Sequence, residues 1–187
     1  MLEGMKWART KAVLTCFLSS AALCPMNPAW SQTRQFQFEQ FSVNVYQGRI
    51  HIPKWLHKEN DGEWSYSNWK PALPPSVTFA GEYDLAGISC GTECRYYELT
   101  NLRTGADVPG ISMFDGGEEL PVTGDGHPYL TILYYKPESR LLIAEYHLDF
   151  RDPDRSNACR QRYFVLENGK LRPVSKTFQF CTEGDEQ

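Results

Sequence analysis

Four cysteines offer the widest range of reactions in this sequence: Cys90, Cys94, Cys159 and Cys181. A cysteine forms a disulfide, or as a thiolate it attacks a substrate or binds zinc. Cys90 and Cys94 bracket a turn of three residues, short enough to bring their Cα atoms within the roughly 4.4–6.8 Å of a disulfide. We predict the pairs Cys90–Cys94 and Cys159–Cys181, because an even number of cysteines in an exported chain favours disulfides.

Metal binding and nucleophilic catalysis are the alternatives for these cysteines. Strong zinc motifs contain two close ligand pairs, whereas Cys90 and Cys94 are followed by two widely separated cysteines. The segment around Cys90 and Cys94 is distantly similar to the nucleophile segment of L,D-transpeptidases, but it lacks their Ser-x-Gly-Cys-x-Arg order. His51 and His57 precede the cysteines without a signature for the base that a catalytic thiolate needs. We therefore predict no catalytic residue, no metal ligand set and no cofactor.

Other polar side chains recur at spacings that suit ligation or proton transfer. Glu145, His147 and Asp149 alternate along one predicted strand, so their side chains share one face. Such alternation more commonly marks the solvated face of an antiparallel sheet, which is what we expect here. Residues 152–157 carry oxygen ligands but lack the glycine and bidentate glutamate of a calcium loop. That segment is predicted to be a polar turn.

Two segments are candidates for a binding surface. Gly91, Thr92 and Glu93 lie between the first two cysteines, and a disulfide there is expected to present them to solvent on a rigid turn. The second candidate is a tryptophan-rich region, residues 48–75, predicted to be irregular. Its tryptophans, Trp55, Trp64 and Trp69, either form a stacking platform or belong to the core.

The elements that position these residues are predicted to be strands, at residues 36–46, 78–88, 94–102, 129–135, 141–150, 162–166 and 171–180. Residues 129–135 are apolar on both faces, which predicts a central strand covered on both sides. The Asn168-Gly169 pair predicts a tight hairpin. A strict two-residue turn would place Cys159 opposite Phe178, so a Cys159–Cys181 bridge requires a bulge or longer loop near Pro173. The fold class predicted is all-β, an antiparallel meander forming a small sandwich or partial barrel with disulfide bonds.

The N-terminal residues 1–31 have the pattern of a secretory signal peptide. Basic Lys6, Arg9 and Lys11 precede an apolar run at residues 12–24, and a small-x-small sequence ends at Ser31. The apolar run is shorter than the roughly 20 residues that span a bilayer. Residues 32–187 are then a single β-rich domain, and we expect it in the periplasm or outside the cell.

The charge of residues 32–187 limits the partners of the mature chain. The leader holds three of the 19 basic and one of the 23 acidic residues. The mature chain therefore has a net charge of about −6, which argues against a nucleic-acid partner or an anionic membrane surface. We expect no stable membrane insertion, and the partner is expected to be a protein or a cell-wall component.

Several short segments resemble a group of exported bacterial proteins of unknown function. Phe79-Ala80-Gly81-Glu82-Tyr83 is followed by Cys90-Gly91-Thr92-Glu93-Cys94, then by Thr104-Gly105 and a Ser-Arg-Leu-Leu unit at residues 139–142. The resemblance implies export and β-structure, and it brings no known activity. With no catalytic constellation in the sequence, we expect a non-enzymatic binding protein, including an inhibitor or neutraliser of a cell-envelope protein. The alternative is a cell-envelope hydrolase or transpeptidase with a cysteine nucleophile.

Overall fold

The computed structural model of this chain describes residues 36–68, 70–117, 119–149 and 158–182. These residues belong to one compact unit, Arg34–Gln187. The predicted signal peptide, Trp69 and the acidic segment 152–157 lie outside the described residues.

Nine strands and two short 3₁₀ helices follow one another along the described chain. The strands are β1 (Leu56–Lys58), β2 (Trp64–Tyr66), β3 (Pro71–Ala72), β4 (Tyr83–Gly91), β5 (Cys94–Asn101), β6 (Tyr129–Tyr134), β7 (Leu141–Leu148), β8 (Cys159–Glu167) and β9 (Lys170–Pro173). The helices are η1 (Phe38–Phe41) and η2 (Pro109–Phe114). The prediction of a strand at residues 36–46 is wrong. Phe38 and Phe41 belong to the 3₁₀ helix η1 and pack against the core, and Ser42 forms an isolated β-bridge with Ser139.

The strands form three antiparallel sheets, none of them closed into a barrel. β1, β2 and β3 make a small sheet inside the segment predicted to be irregular, and β4 pairs with β5 as a two-stranded hairpin. β6, β7, β8 and β9 form a four-stranded meander in chain order. The predicted all-β class, with antiparallel sheets and disulfide bonds, is confirmed.

The central strand of the meander differs from the one predicted. β6 lies at the sheet edge, whereas β7 is paired on both sides. Leu142 and Ala144 of β7 face one core cluster, while Leu141 and Ile143 face another. Residues of β6 do contact both core clusters, through Leu133 on one face and Tyr134 on the other, but the strand lies at the edge of the sheet.

The three sheets are packed through three apolar clusters. The largest lies between the β4–β5 hairpin and the meander, with η2 contributing Ile111 and Phe114. A second cluster covers the opposite face of the meander with Phe38 of η1. A third joins the β1–β3 sheet to the hairpin through Trp55, Leu56 and Ile88. The hairpin is therefore buried on two sides, and its far end carries the Cys90–Cys94 turn.

The β8–β9 hairpin and the segment after it explain how the second disulfide forms. Asn168 and Gly169 both have positive φ, at 50° and 68°, as a type I′ turn requires. The ladder begins with Glu167 opposite Lys170, but the later bridge pairs Gln161 with Phe178, two residues out of that register. This irregularity beyond Pro173 is the one that the Cys159–Cys181 pair requires, and that pair forms with Cα atoms 5.5 Å apart.

Candidate functional site

The end of the β4–β5 hairpin is a tight turn closed by a disulfide. The Cα atoms of Cys90 and Cys94 are 5.0 Å apart, which confirms the predicted pair. The strand register shifts between Ser89 and Gly91, so a bulge precedes the turn. Gly91 and Thr92 are exposed, while Glu93 is half-buried and has a left-handed backbone with φ of 64°. We call residues 90–94 the stapled turn.

A groove of about 260 Å³ lies beside the stapled turn, with Gly117 and Leu120 on its other side. The loop that bears these two residues is held against β5, because the Gly116 N–H donates to the Arg95 carbonyl at 2.7 Å. Gly116 O also lies 3.5 Å from Cys94 Sγ. The turn and the groove wall are thus joined as one surface.

Two polar contacts anchor this surface to the rest of the fold. Asp115 Oδ1 accepts a hydrogen bond from the Tyr97 backbone N–H at 2.7 Å. Burial raises the pKa of Asp115, and that hydrogen bond opposes the rise. On the other side, Lys70 Nζ donates to the Ser89 carbonyl at 2.6 Å. The small sheet therefore places a cation next to the turn.

The tryptophans do not form one surface in the described residues. Trp55 is 8% exposed, and its indole N–H donates to Thr100 Oγ1 at 3.0 Å, so it belongs to the core. Trp64 is half-buried on β2, with Lys58 Nζ 5.9 Å from its ring centroid. Trp69 is outside the described residues. A tryptophan contact surface stays a prediction that depends on Trp64.

The alternating polar residues Glu145, His147 and Asp149 do not converge on one site. Glu145 is 4% exposed, with Oε1 accepting from Gln161 Nε2 at 3.1 Å and Oε2 lying 3.3 Å from His147 Nε2. Asp149 instead meets His127, with 2.8 Å between Oδ2 and Nδ1. The expectation of a solvated face is wrong for Glu145, because the segment leading to Cys181 covers this part of the sheet.

The covering segment also places sulfur atoms next to that buried carboxylate. One ligand atom each from Glu145, Cys159 and Cys181 lie within 4.8 Å of one another. In the disulfide form both sulfur atoms are bonded to each other. Burial, followed by the negative charge of Glu145, raises the pKa of Tyr134 nearby. No single segment of the sequence signals this cluster, since its members come from β7, β8 and the chain end.

A second cleft, of about 530 Å³, was not indicated by sequence reasoning. It is lined by Ala80, Glu82, Tyr83, Arg140, Leu166, Glu167 and Asn168. Its charged groups are already engaged, since Glu82 accepts from Asn101 Nδ2 at 2.7 Å and Arg140 lies 3.6 Å from Glu167. The cleft is a polar depression between two turns.

The segments that carry the family resemblance have identifiable structural roles. The Phe79–Tyr83 turn is tied to Ser139, whose carbonyl accepts from the Ala80 N–H at 3.1 Å. Ser139 is fully buried and its hydroxyl donates to the Phe38 carbonyl at 2.7 Å. These residues connect the hairpin to the meander, which accounts for them without a ligand. The resemblance itself stays a prediction.

Comparisons of the chain with protein-family models, with curated proteins and with solved structures find no match. Within the described ranges, no helix has the length and apolar character needed to cross a membrane. Function therefore has to be inferred from the geometry of the chain itself.

Proposed function

We propose that this chain is an exported, non-enzymatic binding protein and that the stapled turn is its contact surface. The observation that carries the proposal is the groove of about 260 Å³ between the exposed turn and Leu120. The partner is a protein or a component of the cell wall. Inhibition or neutralisation of a cell-envelope protein is the role that suits such a surface.

Rigidity supports this assignment. Binding costs free energy when loops and side chains become ordered, so a surface that is already ordered binds with a smaller loss. The stapled turn is held by the Cys90–Cys94 bridge and by the Gly116 contacts to β5. Thr92 at its tip is exposed and is available to a partner.

Export is supported by two independent features. Residues 1–31 have the basic, apolar and small-residue pattern of a signal peptide. The two disulfides are typical of proteins that reside in an oxidising compartment outside the cytoplasm.

The alternative is a cysteine nucleophile, which would need a histidine base close to Cys90 or Cys94. Neither upstream histidine is in such a position. His51 packs beside Gly105, at the end of the hairpin opposite the stapled turn. His57 lies on β1 with Nε2 3.3 Å from Ser67 Oγ. A thiolate at Cys90 or Cys94 would also require the bridge to open first. Alkylation of the unreduced protein should therefore modify no thiol, and one reactive thiol on the mature chain would favour the enzyme.

The binding surface is tested with the double variant Thr92→Ala/Glu93→Ala. We expect the double variant to remain folded, because Thr92 is exposed and Glu93 is only half-buried. Exposed substitutions such as Thr92→Ala usually alter stability by about 0.5 kcal/mol or less. A photo-crosslinking residue at position 92 identifies the partner in envelope extracts, and the purified partner is then titrated against both proteins. We expect binding to be lost in the double variant.

The matched control is Glu63→Ala, at an exposed glutamate in the turn between β1 and β2. It should bind the purified partner as the unmodified protein does. If the double variant binds normally but Trp64→Ala does not, and both remain folded, the contact surface lies on the small sheet and our placement is wrong.

A further inference from the structure

We propose that Cys159, Cys181, Glu145 and His147 form a redox-gated zinc site, which is closed by the disulfide and opened when a dithiol reductant cleaves it. One Zn²⁺ then binds two thiolates, one carboxylate oxygen and one imidazole nitrogen. The site lies on the meander and does not involve the stapled turn.

The distances between these atoms suit a tetrahedral ion. Ligand atoms from Glu145, Cys159 and Cys181 lie within 4.8 Å of one another. Tetrahedral zinc, with bonds of about 2.0–2.3 Å, separates its ligands by roughly 3.3–3.8 Å. The sulfur atoms must move apart from bonding distance. His147 does not lie within 4.8 Å of the whole set, so its imidazole must also turn towards the sulfur atoms when the ion binds. The 3.3 Å between Glu145 Oε2 and His147 Nε2 already has the required length.

Neighbouring polar groups already orient the buried ligands. Gln161 Nε2 holds Glu145 Oε1 at 3.1 Å, which leaves Oε2 for a metal. Gln161 Oε1 in turn accepts from the hydroxyls of Tyr163 and Thr182, both at 3.1 Å. Outer-shell hydrogen bonds of this kind fix the orientation of ligands in zinc proteins.

His147 supplies a second, independent observation. Its Nε2 atom is buried and makes no hydrogen bond within the described residues. Buried polar atoms without a partner are rare in native structures and call for an explanation. Its 3.3 Å contact with Glu145 Oε2 does not have hydrogen-bond geometry, and a metal ion bound by both atoms would give Nε2 a partner. His147 is also the cross-strand neighbour of Cys159.

Contacts other than the disulfide keep Cys181 near the site after reduction. The Gln161 and Phe178 backbones exchange two hydrogen bonds of 3.1 and 2.8 Å. The Phe178 ring packs edge-to-face on Tyr163, with centroids 5.9 Å apart. Cys181 follows three residues later, so the docked segment limits how far its thiol can move.

The chemistry balances through ordinary thiol–disulfide exchange. The dithiol transfers two electrons and two protons to the Cys159–Cys181 bond and becomes a disulfide itself. Zn²⁺ then displaces the two thiol protons to solvent and forms two Zn–S bonds, one Zn–O bond and one Zn–N bond. Both cysteines are half-buried, so a small dithiol can reach them.

The test uses mature protein with Cys90→Ser and Cys94→Ser, so that Cys159 and Cys181 supply the thiols. The protein is reduced with dithiothreitol, freed of reductant without oxygen, and titrated with Zn²⁺ against a chromophoric chelator. We expect one Zn²⁺ per reduced chain and none per oxidised chain. Co²⁺ should give the charge-transfer absorption of thiolate ligation, and Zn²⁺ should raise the melting temperature.

Variants separate this site from a pair of thiols on an unfolded chain. Glu145→Gln and His147→Gln should each weaken binding by at least the roughly 10–100-fold that outer-shell changes cost, whereas the exposed Glu39→Gln should not. If reduction unfolds the protein, Zn²⁺ should restore its circular dichroism. The proposal is overturned if the reduced protein does not bind one Zn²⁺ per chain. It is also overturned if either Glu145→Gln or His147→Gln leaves the zinc affinity unchanged. If the serine background does not fold, reduced unmodified protein must bind one more Zn²⁺ than Cys159→Ser/Cys181→Ser.

Discussion

Asp84 is a carboxyl group that the fold buries at an energetic cost. It is 6% exposed on β4, and burial raises its pKa from 3.8 to about 6. Hydrogen bonds from the Ser76 backbone and the Thr78 side chain oppose the rise without cancelling it. Because the pKa in the folded state exceeds that in the unfolded state, the folded protein binds this proton more tightly. Asp84 therefore lowers stability as the pH rises from about 4 through 6.

The substitution Asp84→Asn should raise the stability of the protein at neutral pH. It retains an acceptor oxygen and removes the buried charge, so we expect a gain of about 1–3 kcal/mol at pH 8. The gain should shrink as the pH falls through 6 and 4, and it should vanish only below about pH 3, where Asp84 is protonated in both states. Urea denaturation at pH 4, 6 and 8 measures it, and a gain independent of pH would contradict the explanation.

Asp107 is a control for Asp84, because its pKa is shifted in the opposite direction. Desolvation is the largest single influence and raises its pKa, but the hydrogen bonds from Lys54 and Thr100 together with the charge of Lys54 lower it overall. Its pKa in the folded state is below that in the unfolded state. The Asp107 carboxylate therefore stabilises the folded protein at neutral pH, and this stabilisation is lost on acidification. Asp107→Asn should therefore destabilise the protein at pH 8 and become neutral at low pH.

At the scale of elements, the turn from Phe79 to Tyr83 joins the hairpin to the N-terminal segment. Gly81 has φ of 80°, and a Cβ added there would lie 2.6 Å from the Asn44 carbonyl oxygen. That oxygen belongs to backbone, which cannot move aside as a flexible side chain does. The close approach is maintained by the Tyr46 N–H, which donates to the Gly81 carbonyl at 2.6 Å.

We expect Gly81→Ala to lower the unfolding free energy by at least about 2 kcal/mol, from strain and the backbone clash together. Gly124→Ala is the matched control, since no atom lies within 4 Å of its added Cβ. The control should stay within about 0.5 kcal/mol of the unmodified protein. Equal effects of the two substitutions, measured by urea denaturation, would show that the Asn44 contact is unimportant.

The two disulfides close rings of different length, and we expect different losses when each is removed. Their residues are 4 and 22 positions apart. Loop-closure entropy gives about 2 kcal/mol for the short ring and about 3 for the longer one. Cys159→Ala/Cys181→Ala should therefore cost more than Cys90→Ala/Cys94→Ala in denaturant melts without reductant. The reverse order would mean that packing at the stapled turn dominates.

At the scale of the whole molecule, the β4–β5 hairpin is the middle layer of three sheets. The small sheet packs on one side of it and the meander on the other. Tyr97 links two of these layers, because its hydroxyl donates to the Thr131 carbonyl on β6 at 2.9 Å. Both faces of the hairpin are needed for packing, so its tip and the adjoining loop are the parts left to contact a partner.

Export is the prediction that concerns the whole chain. Protein recovered from its native host should begin near Gln32, because the small-x-small pattern before it is the form that signal peptidase cleaves. N-terminal sequencing of the envelope fraction measures this. Recovery of an intact start at Met1 or Met5 from the cytoplasm would contradict it and would remove the compartment argument for the disulfides.

Local patterns in the sequence were sufficient for the strands of the β4–β5 hairpin and the meander, for the Asn168-Gly169 turn and for both disulfide pairs, but not for residues 36–46 or for β1, β2 and β3. Side chains alternate across a strand, and a type I′ turn needs residues that accept positive φ, so neighbours in sequence determine these features. The need for an irregularity beyond Pro173 also followed, because register is a matter of counting residues between two paired positions. Thr92 could be placed on a turn tip by the same reasoning.

Which faces of the strands are covered depends on contacts between segments that are distant in sequence. The alternation around Glu145 looks the same whether the polar face meets water or a docked segment, and here Phe178 and Cys181 cover it. Trp55 is in the core because a small sheet packs on the hairpin, a non-local contact that no spacing reveals. The proposed zinc ligands escaped sequence reasoning for the same reason. Burial and convergence depend on which distant surfaces meet, whereas backbone conformation depends on adjacent residues.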